Sequence, residues 1–297
     1  MEVLVTSPWV PREWIRAHGL EPRGAWFAQL DPSGALPEGV CAFAGAMARL
    51  HQAQPHAGIV FTTACDQMRR AADATASSGG KHAFLFSLPA TWQTSAARKL
   101  YHAEVARLGK YLESLGGHTP GEEELMREIR RSEAQRAHRR RILEAGSSSD
   151  RGVPLALVGG PLLPSQWSLF DAVEAAGGRV VLNATEPGER SVLPPLPPMA
   201  PGQEAVIALA DHYFDHAVDV FHRPNTRLYA WLGERLQARG ARGILLWAHL
   251  ACDLWRVEAA SLREAFDLPV LVLEAHRVGT GGLRDRQRLG AFIESRR

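Results

Sequence analysis

Cysteine is scarce in this chain: 297 residues contain three, Cys41, Cys65 and Cys252. An odd number at wide spacing argues against a disulfide framework, and there is no Cys-x-x-Cys pair of the kind that builds structural zinc knuckles. Charge of one sign is equally lacking. The 34 Lys+Arg and 32 Asp+Glu leave a formal +2, far from the excess with which a nucleic-acid binder meets phosphate. No apolar run approaches the ~20 residues that a bilayer span requires. The opening MEVLVTSPWVPREW carries an acid at Glu2 and no long apolar stretch, unlike a secretory leader. The expectation is a soluble, cytoplasmic protein with neither nucleic-acid nor membrane partners, whose thiols stay reduced.

What is present is ordinary globular composition, 45% hydrophobic and 22% charged, over a length that exceeds one typical domain. Strand-like apolar runs alternate with helix-length segments, the pattern of parallel sheets with crossover helices. In the first half the strands are GVCAF (39–43), AGIVFTTA (57–64) and HAFLFSL (82–88), separated by helical AGAMARLHQ and DQMRRAADATA. A long helix runs from about Ser95 to Leu115 and stops at Gly116-Gly117. A second begins after Thr119-Pro120, with Thr119 as its cap, and its basic carboxyl-terminal half reads as a solvated face.

GSSSDRG (146–152) is a polar linker, after which the alternation restarts through VPLALVGG, GRVVLNAT, GILLWAH (243–249) and PVLVLEA (269–275). The fold class is therefore α/β: two Rossmann-like, doubly wound lobes with parallel sheets and additional helices. Residues 1–120 form an amino-terminal lobe with Cys41 and Cys65, 121–150 a connecting helix and linker, and 151–297 a carboxyl-terminal lobe with Cys252.

All three cysteines fall where a strand ends and a helix begins. Open α/β sheets bind ligands outside the carboxyl ends of their strands, and a helix amino terminus favours the thiolate that a metal requires. Three sulfurs with His249 as a weak fourth ligand would suit zinc; three thiolates also suit an iron–sulfur cluster. His249 is equally a packing or hydrogen-bonding residue on this pattern. Asp66 and Asp253 need no role beyond the first turn of a helix, and Ser165 is a natural cap for the helix near it. His212 and His216, four apart, share a helix face and read as surface histidines before they read as metal ligands.

The ordered segments VPREWIRAHGLEP, CAFAGAMAR (41–49), GIVFTTACDQMRR (58–70), FLFSLPATW (84–92), YHAEVARLGKYLESLGGH, LALVGGPLLP, AGGRVVLNATEPGER, HLACDLW (249–255) and LVLEAHRVGTGGLRDRQRLGAFIE carry a resemblance. The chain resembles a subunit of the 2-hydroxyacyl-CoA dehydratase / benzoyl-CoA reductase family, over nearly its whole length. The resemblance implies one [4Fe-4S] cluster per subunit, held by Cys41, Cys65 and Cys252 with one open iron. It also implies a paired subunit (a second chain or a copy of this one), an ATP-dependent activator that delivers one low-potential electron, and an acyl-CoA substrate whose thioester becomes a ketyl radical. In the family it resembles, a basic residue usually stands where this chain has Gly45, and the last motif usually reads Gly-Gln-x-x-Thr-Arg where this chain has GGLRDR, with Gly282 and Asp285 in the altered places. Those departures suit a companion subunit that relays electrons while another chain binds the acyl-CoA. A reductase subunit of the benzoyl-CoA type and a zinc-stabilised binding protein are the alternatives.

Overall fold

A computed structural model describes residues 1–24, 41–53, 57–77, 82–145, 151–275 and 283–297. The elements in chain order are β1 (Glu2–Val5), α1 (Arg12–Ala17), β2 (Glu21–Gly24), α2 (Ala42–Ala53), β3 (Gly58–Thr62), α3 (Asp66–Ser77), β4 (Ala83–Phe86), α4 (Ser95–Ser114) and α5 (Glu122–Ala145). They continue with β5 (Val153–Gly159), α6 (Ser168–Ala175), β6 (Gly178–Ala184), α7 (Ala205–His216), α8 (Thr226–Ala238), β7 (Ile244–His249), α9 (Asp253–Phe266), β8 (Val270–Ala275) and α10 (Leu283–Glu294). Two four-stranded sheets result, ordered β2-β1-β3-β4 and β6-β5-β7-β8, and every pairing in both is parallel. The doubly wound α/β class expected from the alternation is the observed one.

The inner strands explain themselves. All five residues of β3 and all six of β7 are buried, as strands covered on both faces must be. The segment GVCAF differs from expectation. Ala42 and Phe43 open α2 instead of ending a strand, and residues 39–40 lie outside the described ones. A short apolar run fits a buried helix as well as a strand. Two strands come from segments without a strand-like pattern: β1, whose VLV is wholly buried, and β2, EPRG, at the sheet's edge. An edge position is where Pro22 is tolerated, because a missing N–H there costs no ladder bond.

The described residues form two compact units. One takes its residues from 1–25, 47–144 and 191–224, the other from 26–46, 145–190 and 225–297. Both are discontinuous in sequence, whereas the sequence division runs in continuous segments. In the first unit Val3, Leu4, Val5, Ile59, Val60 and Phe61 are fully buried, and the Tyr101 hydroxyl of α4 donates to the Trp9 carbonyl at 2.5 Å. Arg98 of α4 grips α7, with 2.6 and 3.0 Å bonds to the two Asp215 oxygens and 2.7 Å to Asp211. The second unit is built around Leu155, Leu157, Val173, Leu245, Trp247, Leu289 and Ile293.

Thr94 caps α4, its hydroxyl accepting from the Ala97 N–H at 3.1 Å. At α5 the cap is not Thr119, whose hydroxyl bonds the Glu113 carboxylate at 2.6 Å; the Glu124 carboxylate instead accepts from the Gly121 N–H at 2.9 Å. Ser165 likewise caps nothing. It lies exposed within a short 3-10 turn, Pro164–Gln166, ahead of α6. The basic half of α5 is only partly a solvated face. Arg136 turns inward and pairs with the buried Glu13 at 2.7 Å, leaving its side chain 12% exposed.

At the end of β5 the backbone of Gly159 has φ +148°, and a Cβ there would stand 1.9 Å from the Trp247 carbonyl oxygen. Neither the dihedral nor the contact is open to alanine, because the obstacle is the neighbouring strand itself. Gly159→Ala should therefore destabilise the protein by roughly 2–4 kcal/mol in urea unfolding. Gly290→Ala, in α10 with nothing within 4 Å of the new methyl, should be neutral or stabilising by up to about 1 kcal/mol.

His212 is buried, not a surface histidine, and its ring centroid lies 4.9 Å from that of His216. Burial first, then the charges of His216 and Arg136, pull its pKa from the usual 6.5 to about 4. The unfolded chain thus takes up a proton near pH 6.5 that the folded protein refuses until about pH 4. Stability is expected to be flat above pH 7 and to fall as pH drops from 6.5 towards 4. Unfolding free energies of His212→Gln measured across that window should show a shallower slope.

Candidate functional site

The three cysteines share one local geometry. The carbonyl of Cys41 accepts the Gly45 N–H at 3.0 Å, that of Cys65 the Arg69 N–H at 3.3 Å, and that of Cys252 the Arg256 N–H at 3.2 Å. Each cysteine is thus the amino-terminal cap of a helix (α2, α3 and α9 respectively), its carbonyl taking the first i to i+4 bond. Serine, threonine, asparagine and aspartate are the usual residues there; cysteine offers the helix little. What the position offers cysteine is a set of N–H groups and the positive end of a helix dipole, both of which favour a thiolate.

Cys65 follows β3 and Cys252 follows β7, which hold the same place in the two sheets. In each sheet the chain begins at the second strand, turns to one edge, then crosses to the third. The strand order reverses between β1 and β3, and again between β5 and β7. Such a reversal opens the crevice in which doubly wound sheets bind ligands. Both cysteines stand within three residues of the carboxyl end of the strand beside that reversal. Cys65 belongs to the first unit, Cys41 and Cys252 to the second.

Cys41 is buried, and Cys65 and Cys252 are partly exposed. Burial pushes the Cys41 thiol pKa up, while the Ala44 and Phe43 N–H groups, bonded to its sulfur, pull it down. Phe43 also connects this helix start to the end of β7, its ring centroid 6.2 Å from that of His249. Among the described residues of either unit, no three His, Cys, Asp or Glu side chains are grouped as a metal site.

His249, the last residue of β7, is 1% exposed. Its Nε2 lies 2.9 Å from the Pro161 carbonyl, an acceptor, so that nitrogen carries the proton. Nδ1 is then an unprotonated, buried lone pair without a protein hydrogen bond. Burial lowers the ring's pKa to about 4, against the opposing Pro161 bond, and keeps it neutral. A neutral imidazole with a free nitrogen has the form of a metal ligand, while its other nitrogen performs the hydrogen-bonding role. The Pro161 carbonyl also accepts from Trp247 Nε1 at 3.2 Å, which fixes GGPLLP against β7.

Asp66 is an exposed first-turn acid 3.8 Å from Arg69, consistent with no further role. Gly282 lies outside the described residues, and Asp285 is bonded to Arg288 at 3.4 Å on α10.

One positioning residue escaped the sequence. Arg190 is buried, donates from Nε to the Ala184 carbonyl at 2.8 Å and from Nη2 to the Gly159 carbonyl at 2.7 Å. Its guanidinium lies 4.8 Å over the ring of Trp255, three residues past Cys252. It thereby ties the ends of β5 and β6 to the first turn of α9. An arginine after the TEPGE turn gives no sequence signal for burial, since arginine is rarely buried unless paired.

The donors present fit an iron–sulfur group chemically: three thiols, each at the amino terminus of a helix, one of them bonded by the Phe43 and Ala44 N–H groups, and a buried neutral imidazole beside the third. Among curated proteins none matches this chain. Solved structures of low similarity include the SBP FpvC from Pseudomonas aeruginosa in complex with Mn2+, 11% identical over 100% of this chain and 98% of that one, with a TM-score of 0.27. A FpvC mutant from the same organism is 14% identical over 100% and 97%, with a TM-score of 0.24. Likeness at that level carries no argument about fold or function. The profile of 2-hydroxyglutaryl-CoA dehydratase, D-component, matches twice, over residues 9–155 and 144–295. The first match contains β2–β4 of the first sheet and the second all four strands of the other, and this chain belongs to the 2-hydroxyglutaryl-CoA dehydratase D-component family.

Proposed function

We propose that the chain is the iron–sulfur subunit of a 2-hydroxyacyl-CoA dehydratase-type enzyme, with Cys41, Cys65 and Cys252 as the ligands of one [4Fe-4S] cluster. The observation that supports this most is that all three thiols, and no others, cap helices, two of them at the same topological position in two equivalent sheets. Family membership supplies the reaction class: removal of water from a 2-hydroxyacyl-CoA thioester. When bound, the cluster would supply a single low-potential electron to the thioester.

The chain's own residues hold and tune. The Phe43 and Ala44 N–H groups bond the Cys41 sulfur and lower the negative charge it would bring to a cluster. His249 stays neutral and keeps its proton on Nε2 against Pro161, leaving the Nδ1 lone pair for a cluster iron or for a substrate hydroxyl that donates to it. Arg190 and the Gly159 close contact hold β5, β6 and β7 in register behind these groups.

Gly45 favours the companion form of this reading. It sits in the first turn of α2, one turn from Cys41, and contributes no side chain where the family motif usually has a cation. A subunit so built would relay electrons while a partner chain binds the acyl-CoA.

Anaerobic reconstitution with iron and sulfide is expected to load about four of each per chain, with a broad visible absorption and, once reduced, an electron paramagnetic resonance signal. Cys41→Ser, Cys65→Ser and Cys252→Ser should each lose most of the iron. Zinc retained without sulfide would overturn the cluster in favour of a zinc-stabilised protein. Wild-type iron content in Cys65→Ser would remove that residue from the ligand set.

The loaded chain alone, given activator, ATP and reductant, should show no dehydration of 2-hydroxyacyl-CoA substrates. Addition of its partner should restore turnover, and Cys252→Ser should abolish it again. Full activity of the single chain would replace the companion form with a self-sufficient homo-oligomer. Reduction of an aromatic acyl-CoA without dehydration would replace the lyase with a benzoyl-CoA type reductase.

A further inference from the structure

Helix α7 ends on two imidazoles in contact. His212 and His216 stand one helical turn apart, with ring centroids 4.9 Å from each other and planes inclined at 58°. His212 is 3% exposed, and neither of its ring nitrogens makes a hydrogen bond of ordinary geometry. His216, the last residue of the helix, is exposed and carries no hydrogen bond or ion pair among the described residues. Buried polar atoms are nearly always bonded. Two orphaned nitrogens on one buried ring therefore call for a partner that the chain does not supply.

The surroundings of His212 suit a cation. Besides His216, the charges acting on it are those of Arg136 and Glu133, which bond each other at 2.9 Å and so offset one another. The Pro194 carbonyl faces the ring from the segment before α7. Burial, the largest influence, holds the pKa at about 4, so His212 is a neutral imidazole at physiological pH and a metal ion meets a lone pair there. The carboxyl end of a helix carries partial negative charge, which favours a cation at this end of α7.

The spacing of the rings is that of two ligands on one ion. Two imidazoles with metal–nitrogen bonds of about 2.0–2.1 Å, at an angle between square and tetrahedral, place their centroids roughly 4.5–5.2 Å apart. Histidines one turn apart on a helix are also the pair with which zinc-binding helices hold their ion. Metal-ligating histidines commonly point the second ring nitrogen at a backbone carbonyl, the part that Pro194 can play for His212.

From this geometry we infer that His212 and His216 bind one divalent late-transition ion of the class imidazole prefers, Ni2+, Cu2+ or Zn2+, at the carboxyl end of α7. Among the described residues no third His, Cys, Asp or Glu is grouped with the pair, so water completes the coordination. Mg2+ and Ca2+, which require oxygen ligands, are excluded. The ion clips the last turn of α7, the helix that Arg98 grips through Asp211 and Asp215. The site is independent of the proposed cluster, since none of its residues is a cysteine or adjoins one.

Ni2+ is the probe, because Cu2+ oxidises thiols and Zn2+ binds them tightly. In calorimetric titration of the full chain at neutral pH, one equivalent should bind saturably and be weakened at least about tenfold in His216→Ala, while Mg2+ gives no binding. Ions held by the cysteines are indifferent to that substitution. His216 is exposed, so its removal leaves the packing of α7 in place. Ni2+ should also raise the thermal midpoint of the wild type and not that of His216→Ala. Labelling of the wild-type protein with diethyl pyrocarbonate, read by mass spectrometry, needs no variant to fold. Ni2+ should slow modification of His216 and leave that of His118, whose side chain is 54% exposed, unchanged. Absence of saturable Ni2+ binding overturns the site. So does binding that His216→Ala leaves unaltered, or Ni2+ that slows labelling of His118 as much as that of His216.

Discussion

Parallel strands cannot be joined by a tight turn, because the chain must travel back along the sheet before it can pair again. Every return in both sheets is therefore made outside the ladder, mostly as a helix, and every strand delivers its last residues to the same edge. The strand-to-helix junctions collect there, with their N–H groups and helix dipoles. Cys65 and Cys252 sit at that end because each follows the strand that the chain reaches by crossing over the first, β3 in one sheet and β7 in the other. The third caps α2, the helix that runs into β3. The placement of Cys65 and Cys252 is thus a consequence of sheet direction before it is a consequence of any contact between side chains.

Charge inside this protein is handled by satisfaction, not avoidance. Glu13 is fully buried, a placement that costs several kcal/mol for an unpaired ion and is tolerated only with a partner and hydrogen bonds. Arg136 and Tyr213 provide both. The Tyr213 phenol is raised above its ordinary value by burial and by the same carboxylate, so it remains a donor throughout the accessible pH range. Arg190 follows the same rule, with two carbonyl oxygens and a tryptophan face among its partners. In each case a polar group is fixed in orientation by a fold that would otherwise exclude it.

The sequence made the inner strands and the cysteine junctions legible because both are local. GIVFT and ILLWAH are continuous apolar runs, and Cys65 and Cys252 each stand between such a run and an Asp that opens a helix. EPRG was not legible as β2, since an edge strand takes its structure from its neighbour and not from its own side chains. GVCAF misled because apolar length alone does not separate the two kinds of buried element. His212 carries no mark of burial in a stretch reading ADHYFDH; the packing of α7 decides it. The Glu13–Arg136–Tyr213 cluster was hidden for a different reason: its residues are spread over two hundred positions, and only the tertiary fold makes them neighbours.

The division of the chain into two discontinuous units has a consequence for anyone who would cut it. Cleavage between residues 146 and 150 separates β1–β4 from β5–β8, two halves with complete sheets. The first half would nevertheless lose α7, and with it Tyr213, Phe214 and the two aspartates that Arg98 grips. The second would lose the segment that bears Cys41 and the Phe43 ring beside His249. Each half owes part of its interior to the other half's sequence. The two lobes repeat one topology, yet neither can be cut from the sequence as a continuous module.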